Sequence, residues 1–154
     1  MSERNVERRV KTLMIRDVIS VEPGDPVTDA VELMKENRVS AMPVVDSRGR
    51  CVGVISTTDI LGLAGAAGGA EPDEFQRFTD RIPAERLAGP SAEGRRVRDV
   101  MTVNVVSVDP ETKILDAARE MVRSRIHRLV VLDSDRRVLG ILSTMDLLEA
   151  LAAS

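Results

Sequence analysis

Apolar positions along the chain follow two periods in turn. Val27, Ala30, Val31 and Met34 recur at helical spacing, which predicts a helix with one apolar face. An apolar run, AMPVVD, follows and ends in the turn-forming DSRGR, and a second run, CVGVIS, comes next. Their lengths and residue types predict two strands joined by a tight turn. From about Thr57 the pattern is helical again. Ahead of the first helix, residues 19–21 read as a short extended piece. Asp25-Pro26 then opens the helix, with Asp25 as N-cap and Pro26 at the first helical position.

The same order returns 87 positions later. Val10 to Leu61 lies on Val97 to Leu148 without a gap, with 19 of 52 positions identical. Matched pairs include Met14/Met101, Pro23/Pro110, Asp29/Asp116, Arg38/Arg125, Gly53/Gly140 and Asp59/Asp146. This is an internal repeat, and it sets the organisation of the chain. In the second copy Thr112 takes the cap, Ile114, Ala117, Ala118 and Met121 form the helix face, and RLVVLD and VLGILS are the strands. A last helix runs to about Ala152. The unit is β-α-β-β-α, twice, an α/β (α+β) fold. One copy alone would expose a sheet face, and a core of that size is marginal, so the two copies are expected to pack together. The domain reading is an N-terminal segment 1–9, repeat 1 at 10–63, a Gly/Ala/Pro-rich linker at 64–96 and repeat 2 at 97–154. Within the linker, PDEFQRF is a candidate short helix.

Composition narrows the function. A net charge of −3 gives no electrostatic footprint for nucleic acid. The chain has no Trp or Tyr and only two Phe, Phe75 and Phe78, both in the linker. A planar ligand would therefore be held by aliphatic side chains and backbone. No apolar run reaches the roughly 18 residues of a membrane span, and the charged start MSERNVERRVKTLM lacks a secretory apolar core. These features predict a cytoplasmic protein with no membrane insertion. Cys51 is the one cysteine, so neither an internal disulfide nor a Cys-rich metal site is expected.

Both copies write Gly-x-x-Ser-Thr-x-Asp after an apolar run: GVISTTDIL and GILSTMDLL. Read as structure, Ser56 and Ser143 cap helices, with Asp59 and Asp146 in the first turn where the helix dipole favours an acid. Read as chemistry, each carboxylate can accept both hydroxyls of a ribose, and each Ser can reach ribose or phosphate. His127-Arg128 is either a solvated basic step before a buried strand or a phosphate clamp. The matching residues of the first copy, Ser40 and Ala41, carry no charge. Arg38 and Arg125 suit the helix C-termini by their charge. Gly53 and Gly140 mark either a kink or a close approach of backbone or ligand. Met14, Met34, Met101 and Met121 read as core, with Met14 and Met101 also placed to line a pocket. Asp17 and Asn104 are turn residues or hydrogen-bonding partners of a base or sugar. No arrangement of nucleophile, base or metal ligands predicts catalysis.

The stretches RVSAMPVVDSRGRCVGVISTTDIL and RIHRLVVLDSDRRVLGILSTMDLLEAL resemble paired CBS domains, a Bateman module. RVSAMPVVD and IHRLVVLD are most similar to the repeats of the γ subunit of AMP-activated protein kinase. The resemblance implies a pseudo-two-fold pair with two clefts. The first would combine Met14, Asp17, Ile19, Val39, Ser40 and Ala41 with Ser143 and Asp146. The second would combine Met101, Asn104, Val106, Ile126, His127 and Arg128 with Ser56 and Asp59. It also implies a non-enzymatic regulatory module that binds AMP, ADP or ATP, acts as a homodimer and signals to a regulated enzyme or transporter. The alternatives are S-adenosylmethionine, NAD or a cyclic dinucleotide as ligand, or a ligand-free interaction module.

Overall fold

The computed structural model describes residues 7–63 and 94–153. The linker's candidate helix and both phenylalanines lie outside them. The described elements are α1 (Val27–Asn37), β1 (Ala41–Val45), β2 (Cys51–Ser56), α2 (Thr57–Leu63), α3 (Val97–Val100), β3 (Ser107–Val108), α4 (Ile114–Ser124), β4 (Arg128–Leu132), β5 (Val138–Ser143) and α5 (Thr144–Ala152), with a 3-10 turn at Val10–Thr12. Helices and strands thus mix in the order the apolar pattern predicts.

Two compact units hold these elements. One comprises residues 19–104, the other residues 1–18 together with 105–154. The repeats and the compact units therefore have different boundaries. The lead segment of each repeat, starting at Val10 or Val97, belongs to the unit that holds the other repeat's helices and strands.

In the unit of residues 19–104, α1 buries its predicted face: Val27, Ala30, Val31 and Met34 are fully covered. They pack with Met42, Val44, Ile55, Ile60 and Val97. Strands β1 and β2 pair antiparallel, with Val44 opposite Gly53 and Val45 opposite Cys51, so Val52 bulges. The expected extended piece at 19–21 contracts to one parallel bridge, Val21 to Val44. In the other unit β3 survives as a strand beside β4, parallel to it, and β4 pairs antiparallel with β5. Its core joins Val10 to Ala117, Met121, Leu129, Val131 and Leu142.

The expected helix caps are corrected. Helix α1 starts at Val27, with Pro26 as an extended N-cap (φ −62°, ψ 144°) that makes no side-chain cap bond. The Asp25 carboxylate turns back to accept the Glu22 N–H at 2.9 Å. Likewise α4 starts at Ile114 after Lys113, not after a Thr112 cap. Backbone just ahead of each lead segment does the capping. The Val27 N–H donates to the Arg95 carbonyl at 3.0 Å, and the Ile114 N–H donates to the Arg8 carbonyl at 3.0 Å. Each satisfies one of the donors that a helix start leaves open. In return Val97 N–H donates to Asp25 O and Val10 N–H to Thr112 O, both at 2.8 Å. Identical geometry in both units explains why Val10 and Val97 are fully buried.

The β1–β2 turn is organised by Asp46. Its carboxylate accepts the N–H groups of Arg48 and Arg50 at 2.9 Å each and the Arg50 Nε at 3.0 Å. The Arg50 N–H bond is the main cause of an acidity raised beyond the ordinary Asp value of 3.8; solvent loss opposes it, and the Arg48 N–H reinforces it. A depressed native pKa stabilises the fold above the unfolded-state value, and that contribution is lost as pH falls through the native value. The Asp46 carboxyl is expected to titrate below 3.8 in a carbon-detected NMR titration. A midpoint at or above 3.8 would contradict this turn geometry.

Candidate functional site

Each Ser-x-x-Asp motif sits where the last strand of its hairpin becomes a helix. At β5–α5, Ser143 N–H donates to Asp146 Oδ2 at 2.8 Å, and Asp146 N–H donates to Ser143 Oγ at 3.2 Å. At β2–α2, Ser56 N–H donates to Asp59 Oδ2 at 2.9 Å, and Asp59 N–H reaches Ser56 Oγ at 3.4 Å. The capping reading is thus visible in both copies. Each box fixes its carboxylate in a half-buried position at the end of a strand.

The glycines settle as close approaches of backbone. A Cβ on Gly140 would stand 2.8 Å from the Ile15 carbonyl oxygen and 2.8 Å from Met14 Sδ. A Cβ on Gly53 would stand 2.9 Å from the Thr102 oxygen and 2.8 Å from Met101 Sδ. The lead segments run here as short antiparallel bridges, Ile15 to Ile141 and Thr102 to Val54. The absence of a side chain on Gly140 and Gly53 is what lets Met14 and Met101 lie against the strands that carry the Asp motifs.

The predicted residues therefore assort by unit in a symmetrical way. Met14, Asp17, Ser143 and Asp146 share one unit; Met101, Asn104, Ser56 and Asp59 share the other. Of the remaining residues, Ile19, Val39, Ser40 and Ala41 belong to the unit of residues 19–104, and Val106, Ile126, His127 and Arg128 to the other. Met14 is buried, whereas Asp17 and Asn104 are exposed. The Ser40 Oγ is buried and makes no hydrogen bond among the described residues, an uncommon state for a hydroxyl.

Arg128 stands opposite Ser143 in the β4–β5 ladder. Burial lowers its pKa from the ordinary guanidinium range, and the Asp146 carboxylate opposes that shift. Arg128 therefore lies in the same unit as Asp146, opposite the Ser that opens its motif. His127 is exposed and borders an apolar groove of about 480 Å³ between α4 and α5, with Met121, Val122, Leu147 and Leu148. Its carbonyl accepts the Thr144 N–H at 3.0 Å. Cys51 is buried, its thiol 3.4 Å from the Gly53 carbonyl oxygen. Among the described residues, no three His, Cys, Asp or Glu side chains gather to hold a metal, and no helix is long and apolar enough to cross a membrane.

Sequence reasoning missed one polar group at the site. The Thr102 hydroxyl donates to Asp59 Oδ1 at 3.2 Å. The signal was present: position 102 is matched in the other copy by Ile15, a polar-to-apolar change beside a strictly repeated methionine.

The CBS domain profile matches residues 10–65 and 97–153. The chain is 32% identical over 136 residues to the chloroplastic CBS domain-containing protein CBSX2 of Arabidopsis thaliana, covering 84% of this chain and 57% of that protein. It is 30% identical over 139 residues to the 5'-AMP-activated protein kinase subunit gamma-3 of Sus scrofa, covering 90% of this chain but 24% of that subunit. The chain therefore spans little more than half of the first relative and a quarter of the second. Among solved structures, CBSX2 in complex with AMP matches with a TM-score of 0.73 and 29% identity, over 94% of this chain and 96% of that one. A CBS domain pair of protein MJ0100 shares the fold, with a TM-score of 0.73 at 19% identity, over 95% of this chain and 97% of that one. Two matches to one domain profile, in a chain built from one repeated unit, make this protein a member of the CBS-domain family, carrying the domain as a tandem pair.

Proposed function

We propose that the chain is a regulatory module that reversibly binds an adenosine nucleotide, AMP, ADP or ATP, and performs no chemistry on it. The observation that carries this reading is the placing of Arg128 opposite Ser143 in the ladder, beside the Ser143–Asp146 capping box. Asp146 Oδ1 accepts no hydrogen bond among the described residues, so a carboxylate oxygen remains for a sugar hydroxyl. The neighbouring guanidinium offers a planar set of donors to a phosphate. A similar protein of the family is known in complex with AMP, which supports the same ligand class here. The chain's own residues fit such a ligand: an acceptor for the ribose, a cation for the phosphate and aliphatic side chains for the base.

On this reading the output is a change in conformation or association. It is passed by a cytoplasmic homodimer to a regulated enzyme or transporter. A ligand shifts such an equilibrium only by its difference in affinity between the two states. The binding step is tested by melting the pure protein, followed by circular dichroism, with AMP, ATP, S-adenosylmethionine, NAD or a cyclic dinucleotide. A ligand at about 100 times its Kd stabilises the native state by about 2.7 kcal/mol. The adenosine nucleotides are expected to raise the midpoint by several degrees. A rise confined to another ligand would transfer the site to that class, and no rise with any would leave an interaction module.

A further inference from the structure

The two Ser-x-x-Asp motifs are repeated in sequence, yet their hydrogen-bond states differ. In the first copy every acceptor is engaged within the chain. Asp59 Oδ2 takes the Ser56 N–H and the Ser56 hydroxyl at 2.9 and 3.0 Å, and Oδ1 takes the Thr102 hydroxyl at 3.2 Å. The Ser56 hydroxyl is also 2.9 Å from that of Thr58. In the second copy Ile15 stands where Thr102 does and Met145 where Thr58 does, and neither can make these bonds. Asp146 Oδ1 is left without a hydrogen-bond donor among the described residues, and Arg128 stands opposite Ser143 in the adjoining ladder.

We propose that Thr102 occupies the sugar-binding acceptor of its own unit, so that the chain has one strong nucleotide site, at Asp146, and one self-masked site, at Asp59. The proposal rests on the nucleotide-binding reading above and adds to it an inequality with a named cause. A ribose hydroxyl approaching Asp59 Oδ1 competes with the Thr102 hydroxyl already bonded there, so the ligand gains less than at an open oxygen. At Asp146 the same hydroxyl meets an acceptor that no side chain has to vacate. The masking is reversible, because Thr102 is exposed and its hydroxyl can turn to water.

Equilibrium dialysis with labelled AMP on the full chain tests this. The wild type is expected to show a tight class of one site per chain and a weaker or undetected second class. Thr102→Val removes the hydroxyl at nearly constant volume. It should tighten the second class about tenfold, the lower end of the scale for one hydrogen bond to a charged group, and leave the first class unchanged. Ile15→Thr tests the same claim from the opposite side: it should weaken the tight class by a similar factor, whether or not Thr102→Val folds well. Two equal classes in the wild type, or a second class untouched by Thr102→Val, would overturn the masking while leaving nucleotide binding intact. A wild type that binds no AMP would instead defeat the underlying reading.

Discussion

Gly140→Val is expected to destabilise the fold strongly. A Cβ there would meet the Ile15 carbonyl oxygen at 2.8 Å, and that oxygen is not free to retreat. It accepts the Ile141 N–H at 3.0 Å, while Ile15 N–H donates to Ile141 O at 2.9 Å. Met14 Sδ and Cγ close the same space at 2.8 and 2.9 Å. Relief requires breaking the bridge that ties the lead segment to β5, and with it the burial of Met14. Overpacking of this kind costs about 3 kcal/mol or more, a large share of the roughly 5–15 kcal/mol that holds a native domain together. The thermal midpoint should fall by roughly 10 °C. Gly62→Ala is the control: nothing lies within 4 Å of its added Cβ, and in α2 alanine is the better helix former, so the midpoint should hold or rise slightly. Equal melting of Gly140→Val and the wild type would refute the close approach.

Asp146→Ala should abolish most nucleotide affinity while leaving the chain folded. The side chain has two roles with separate magnitudes. As the acid of the α5 capping box it receives the Ser143 N–H, and loss of a cap costs about 1 kcal/mol of stability. As the ligand's acceptor its loss removes charged hydrogen bonds worth about 2–3 kcal/mol, or about 30- to 150-fold in Kd. Asp146→Asn keeps the shape and one acceptor, so it should lie between Asp146→Ala and the wild type. Melting and AMP titration of the two variants distinguish these roles. An Asp146→Ala protein that binds AMP like the wild type would remove this carboxylate from the site.

Much of this was legible in the sequence, for identifiable reasons. The α1 face, both hairpins and the strand-to-helix junctions at Ser56 and Ser143 are set by local period and turn chemistry. Asp46 shows its role by type and position alone. The caps were misread because Asp25 and Thr112 are strong cap formers by type, while the actual partners of the first helical N–H groups are carbonyls of Arg95 and Arg8. Such distant backbone acceptors leave no side-chain signature. The exchange of lead segments was hidden for a related reason: Val10 and Val97 are the same residue in the same pattern, so nothing local says which repeat each one joins. Of the site, the repeated Asp residues and the distinct His127-Arg128 step were visible. The grouping of Arg128 with Asp146 was not, because it depends on the β4–β5 register. The Thr102 contact spans 43 positions, and the sequence showed only its polar-to-apolar mismatch with Ile15, not its partner.

Nucleotide binding is tested most directly by calorimetric titration of AMP, ADP and ATP into the wild-type protein purified without nucleotide. Saturable binding of at least one of them is expected, with a strong site at a stoichiometry of one per chain. No saturable heat from any of the three up to millimolar concentration would contradict it.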